Sequence, residues 1–193
     1  MTVGSRRRPL RVAPATRRSV ALKSVGTCFD QGPNGIDVPY FDAVLAEISA
    51  NQCVDKARVF MGGFSSGSWL TYTIGCVRAG VVRGTGNASG NQEGGLPTCK
   101  GPIAALIAHD MNDDQNSFAG GIVARDRILK TNGCSTQTMA YDYDGDPATA
   151  SPCVIYQGCM PGYPVVWCPT MNKGHVDQVP ITTTGMWRFW SQF

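Results

Sequence analysis

The sequence predicts an α/β layer fold, a mostly parallel sheet flanked by helices. Segments with helical apolar spacing alternate with short strand candidates in the order helix, strand, helix, strand, helix, strand, strand, helix. One strand candidate, residues 103–108, is apolar without alternation, as expected of a strand covered on both faces. The polar segments able to do chemistry each begin where a strand candidate ends, the edge at which open parallel sheets carry their sites.

In chain order, Asp37 can cap a first helix, with Pro39 tolerated in its opening turn. Val38, Phe41, Leu45 and Ile48 then share one face, and the run stops at Asn51-Gln52. Residues 57–62 form a strand candidate. A second helix carries Trp69, Leu70, Ile74 and Val77. Residues 79–101 are glycine-rich and polar and suggest no element. After the apolar strand, His109 to Ser117 reads as a loop. Phe118, Ile122, Val123 and Leu129 mark a third helix, which Asn132-Gly133 stops. Residues 154–156 and 164–167 are short strands, and His175 lies in the polar loop beyond them. Met186, Phe189, Trp190 and Phe193 line a last helix. One domain is expected over 25–193, with 1–24 disordered or foreign to the fold.

Composition narrows the function. The net charge of +3 comes from six arginines in the first 20 residues, and the remainder carries 11 basic against 14 acidic residues. That basic tail lacks interleaved aromatics and an amphipathic period, so neither a nucleic-acid nor a membrane partner is expected. Eight dispersed cysteines without a CxxC pair, in a chain with two histidines, suit disulfides and an oxidising compartment better than zinc. Four bridges are expected, with Cys76–Cys99 and Cys159–Cys168 preferred as pairs near in sequence. Asp142, Asp144 and Asp146 resemble the start of a calcium loop. Pro147 stands where that loop needs glycine and Cys153 where it needs glutamate, so no metal or cofactor is expected. An extracellular protein needs a signal peptide, yet residues 1–27 have a basic start without the apolar stretch that should follow. The expectation is that this chain lacks its natural N-terminus.

The chemistry rests on Gly63-Phe64-Ser65-Ser66-Gly67, a G-x-S-x-G pattern between a predicted strand and a predicted helix. Such a turn lifts a serine Oγ above the sheet and aims the next backbone N–H, that of Ser66, at a developing oxyanion. A serine nucleophile needs a base, and only His109 and His175 are available. The α/β-hydrolase order along the chain is nucleophile, acid, histidine, and only His175 leaves room for an acid in between. Asp110, Asp113 and Asp114 are the acids at the end of strand 103–108, and spacing does not choose among them.

Several linked motifs resemble the esterase family of polyhydroxybutyrate depolymerases and feruloyl esterases. Val54-Asp55-Lys56-Ala57-Arg58-Val59-Phe60 leading into the serine turn is similar to that family's V-D-x-x-R-V-[YF] strand. His109-Asp110-Met111-Asn112-Asp113 is similar to its H-G-T-x-D segment, whose last residue is the triad acid; the resemblance thus selects Asp113. Asn132-Gly133-Cys134 and Gly174-His175 with Pro180 match further motifs in order. The resemblance covers about residues 28–193. It implies a secreted hydrolase of carboxylic esters, with polyhydroxyalkanoate, feruloyl or other plant cell-wall esters as substrates, acting through Ser65, His175 and Asp113 with Ser66 N–H as oxyanion donor.

Two departures stand out. Asp110 replaces the family's glycine. The family also has two or three strands before the serine turn, one of whose loops supplies a second oxyanion donor, and nothing in residues 1–27 resembles them. The chain as given is therefore expected to be weakened, since one lost donor costs roughly 100- to 1,000-fold in turnover. The alternative from another class is an inactive truncated paralogue that binds polymer or carbohydrate through Trp69, Trp167, Trp187 and Trp190.

Overall fold

The structure is a computed structural model, and it describes residues 19–23, 26, 28–91, 97–146 and 150–193. The basic tail lies outside the described residues, as do Pro147 and most of 1–24; Leu22 is partly buried against the core. The elements are α1 (Asp37–Asn51), β1 (Phe60–Phe64), α2 (Ser66–Val77), β2 (Gly84–Ala88), β3 (Ala104–Asp110), α3 (Phe118–Asn132), β4 (Thr138–Ala140), β5 (Val154–Tyr156), β6 (Val165–Thr170) and α4 (Met186–Trp190). They build one six-stranded sheet in the order β1-β2-β3-β6-β5-β4. The first four in that order run parallel, and β5 and β4 are antiparallel additions. β1 ends the sheet on one side among the described residues. No helix among them is long and apolar enough to cross a membrane.

β3 is buried along its whole length. Its alternate residues feed two cores: Ala105 and Ile107 pack with Leu70, Ile74, Ile128 and Trp167, and Ala104, Leu106 and Ala108 with Ile181, Met186 and Phe189. An apolar run with no period is what two covered faces require. Asn132, at the end of α3, anchors the strand's entry: its amide accepts Ile103 N–H at 3.1 Å and donates to the carbonyls of Ile103 and Tyr163 at 2.7 and 2.8 Å. Gly133 then takes the left-handed conformation (φ 67°) that ends the helix.

The structure differs from the sequence reading at several points, and one of them is β4, a strand where no element is predicted. β2, Gly-Thr-Gly-Asn-Ala, is fully buried where no element is predicted. Its glycines make room: a Cβ on Gly86 would stand 2.4 Å from Met186 Sδ and 2.9 Å from Trp190, and one on Gly62 3.0 Å from Trp190. The last helix thus lies directly on the backbone of β1 and β2, a contact that leaves no hydrophobic period. β1 begins only at Phe60, because Lys56–Arg58 form a short 3-10 turn, and it runs on through Phe64. β3 runs on through His109 and Asp110, which are strand rather than loop. Asp37 is the first residue of α1 rather than its cap, and its carboxylate accepts Asp30 N–H. The bridges are Cys76–Cys99, Cys134–Cys159 and Cys153–Cys168. Cys159 therefore pairs with Cys134 and not with Cys168. The antiparallel register sets Val154 beside Trp167, so the next pair outward is Cys153 and Cys168. Cys28 and Cys53 are exposed and unbridged, leaving three bridges rather than four.

Replacing Gly86 with valine is expected to destabilise the protein by about 1–3 kcal/mol through overpacking against Met186 and Trp190. An unchanged urea midpoint would show that this face yields.

Candidate active site

The parallel register aligns the strand ends. Phe64 pairs with Ala88, Ala88 with Ala108, Ala108 with Cys168, and Asp110 with Thr170. The segments that leave β1, β3 and β6 therefore emerge side by side, and they carry Ser65, Asp113 and His175.

Ser65 sits between β1 and α2 with φ 53° and ψ −121°, an unusual backbone for a residue with a side chain. Its N–H continues the ladder to Ala88 O at 3.0 Å, while its carbonyl accepts Ser68 N–H and Trp69 N–H. A Cβ on Gly63 would come within 2.3 Å of the Gly67 carbonyl group, so this position demands glycine. A Cβ on Gly67 would meet only the Phe29 ring at 3.8 Å; what the turn needs from Gly67 is the close approach of its backbone. Ser66 opens α2, so its N–H belongs to the positive end of that helix.

His175 Nε2 lies 2.9 Å from Ser65 Oγ, and His175 Nδ1 lies 2.9 and 3.0 Å from the two oxygens of Asp113. Asp113 is buried whereas Asp114 is exposed, which separates two acids that spacing leaves equivalent. Burial pushes the Asp113 carboxyl up, but the Asn116 N–H, the His175 ring and the Gln115 N–H, with the His175 charge, outweigh it and hold the group below its ordinary 3.8. An ionised Asp113 accepts the Nδ1 proton, which leaves Nε2 free to accept from the Ser65 hydroxyl. The Phe64 ring lies beside the imidazole, with centroids 4.9 Å apart.

His109, the other histidine, stands behind the acid. It is fully buried; its Nε2–H donates to the Asn116 carbonyl at 2.9 Å and lies 3.5 Å from Asp113 Oδ2. Asn116 donates in turn to the Ser89 carbonyl at 2.7 Å, and Ser89, just past β2, has φ 47°. Sequence patterns carry no signal for Asn116, Ser89 or the buried Gln178, because the contacts that join them, Asn116 to Ser89 and Gln178 to Ser89, span 27 and 89 residues. Asp142, in the acidic stretch, accepts Gly145 N–H and pairs with Arg188 at 3.3 Å.

A parallel sheet with a serine on a strand-to-helix turn, facing a histidine and an acid from neighbouring strand ends, is the α/β-hydrolase architecture. The sequence is similar to those of feruloyl esterases. It is 33% identical over 168 residues to feruloyl esterase D of Neurospora crassa, covering 83% of this chain and 57% of that protein. It is also 33% identical over 118 residues to feruloyl esterase C of Emericella nidulans, covering 61% and 42%. The chain thus spans about half the length of the curated relatives it matches. Among solved structures, an acetyl xylan esterase from Aspergillus awamori superposes with a TM-score of 0.61 at 12% identity, over 80% of this chain and 67% of that one; this likeness is one of fold. No protein-family model matches the chain.

Asp113 and Asp110 are both held below 3.8. A carboxylate with a depressed native pKa adds stability that is complete above its ordinary value and lost as pH falls through the depressed one. The melting temperature is expected to be insensitive to these two groups above about pH 5 and to fall below about pH 4, less steeply in Asp113→Asn than in the parent. Equal acid slopes in the two proteins would contradict this.

Proposed function

We propose that the chain carries a serine carboxylic ester hydrolase site with Ser65 as nucleophile, His175 as general base and acid, and Asp113 as the carboxylate that orients His175. One observation carries the reading: an unbroken hydrogen-bonded line from Ser65 Oγ through the imidazole to a buried carboxylate. His175 Nε2 takes the hydroxyl proton as Ser65 Oγ bonds to the ester carbonyl carbon. The carbonyl oxygen becomes an oxyanion facing Ser66 N–H and the start of α2. The carbon–oxygen bond to the alcohol then breaks, and the Nε2 proton leaves with that alcohol. Water gives a proton to His175, attacks the acyl-Ser65 carbonyl and releases the acid, and the proton returns to Ser65 Oγ. Asp113 stays ionised throughout and stabilises the imidazolium.

The relatives' names favour feruloyl esters of plant cell walls as the substrate class, ahead of polyhydroxyalkanoates. Disulfides and that substrate class together support an extracellular location. A carbohydrate-stacking surface has less support: Trp167 is 4% exposed and Trp190 stacks on Phe60 at 5.5 Å, so both serve packing.

A fluorophosphonate probe is expected to label Ser65, with labelling abolished in Ser65→Ala. Asp113→Asn should lose about four orders of magnitude in kcat with its fold intact. Equal labelling of parent and Ser65→Ala, or none of either, would remove the esterase reading. Hydrolysis of methyl ferulate against 3-hydroxybutyrate oligomers separates the two substrate classes.

A further inference from the structure

Asp110 has no step in the reaction, yet it is one of the most completely bonded groups in the molecule. It ends β3, opposite Thr170 at the end of β6, and is fully buried. Its Oδ1 accepts Asn112 N–H at 2.9 Å and Gly174 N–H at 3.0 Å. Its Oδ2 accepts Lys173 N–H at 3.1 Å and lies 2.8 Å from the Thr170 hydroxyl, whose one proton it shares with Gln178 Oε1 at 2.7 Å. Three N–H donors and that shared hydroxyl approach the capacity of a carboxylate.

Two of those donors are consecutive backbone N–H groups of the turn that ends at His175. Asn172 and Gly174 both have positive φ, 61° and 72°. Backbone that alternates into the left-handed region turns successive N–H groups toward one point, a concavity that fits an anion. Here the anion is the chain's own side chain. A second stitch runs beside it, from Asn172 N–H to Asn112 Oδ1 at 3.0 Å. On the acid side, Asp113 N–H donates to the Asp110 carbonyl at 3.2 Å. One residue therefore holds both segments that bear the acid and the base.

We propose that Asp110 is a positioning residue: its buried carboxylate folds residues 172–174 around itself and thereby sets the His175 ring against Ser65 and Asp113. The inference rests on the triad reading for its catalytic consequence and on the hydrogen bonds alone for its structural one. An amide in place of the carboxylate keeps one acceptor oxygen but turns an NH2 group toward donors. A glycine, the residue of the family motif at this position, removes every side-chain contact and leaves a cavity of carboxylate size.

Asp110→Asn and Asp110→Gly are tested in the full chain, with near-UV circular dichroism and intact disulfides as the check on folding. In both, amide hydrogen exchange at Lys173 and Gly174 is expected to lose protection while β3 and α3 keep theirs. With p-nitrophenyl acetate, kcat is expected to fall about 10- to 100-fold, the scale of a displaced catalytic group, with KM nearly unchanged. Sodium formate should restore part of kcat in Asp110→Gly and none in Asp110→Asn. A folded Asp110→Asn with parental kcat and parental protection at both amides overturns the proposal. So does failure of both variants to fold, which would make Asp110 a general stability residue. If the parent hydrolyses no ester, the esterase reading fails by itself, and the exchange pattern still decides whether Asp110 holds the histidine turn.

Discussion

The strand Ala104–Asp110 is hydrogen-bonded on both edges and covered on both faces, and the rest of the molecule takes its position from it. Such a strand cannot slide by one residue without turning Ala105 and Ile107 into the opposite core. Its fixed register fixes where β3 stops relative to β2 and β6. The acid segment leaves from its own end and the histidine segment from the end of β6, paired to it at Asp110 and Thr170. The serine turn is two strands from β3, tied across β2 through Ser65 N–H to the Ala88 carbonyl and Ser89 N–H to the Ala108 carbonyl. Strand register thus brings the three segments together, and the turns that bear the side chains set the final hydrogen-bond distances at the site.

Around that register, small residues let the layers approach. Gly63 admits the Gly67 carbonyl and so permits the turn that strains Ser65. Gly62 and Gly86 admit Trp190 and Met186, which brings the last helix down onto the strands next to the turn. Gly75, in α2, faces Thr85 of β2 at a distance a Cβ would close to 2.9 Å. Gly121 of α3 likewise admits the His109 ring, and both His109 and Asp113 are buried. Burial is also why the carboxylates need so many donors. An ionised group without them would be driven toward its neutral form.

The antiparallel half plays a different part. β4 and β5 extend the sheet away from the site, and the disulfides Cys134–Cys159 and Cys153–Cys168 fasten them to the end of α3 and to β6. Cross-links there restrict the unfolded chain and hold short strands that bury little apolar surface of their own.

Spacing over a few neighbouring residues records the three long helices, the doubly buried strand and the serine turn; it misses β2 and β4, and it groups the exposed Val123 with the core-facing residues of α3. The sequence by itself narrowed the partners of Ser65 to His175 and one of a few acids, and the family resemblance picked out Asp113. Tertiary structure alone decided what depends on residues far apart in the chain. β2 is a strand because β1 and β3 pair with it on both edges while α4 packs on Gly86, not because it alternates. Cys153 meets Cys168 because β5 and β6 are antiparallel in one register. Asp113 is buried while its neighbour Asp114 is exposed, and Asp110 is wrapped by a turn that begins 60 residues later in register with it. Local spacing records the direction of a side chain within its own element. Which distant backbone donor that side chain meets is set only when the strands align.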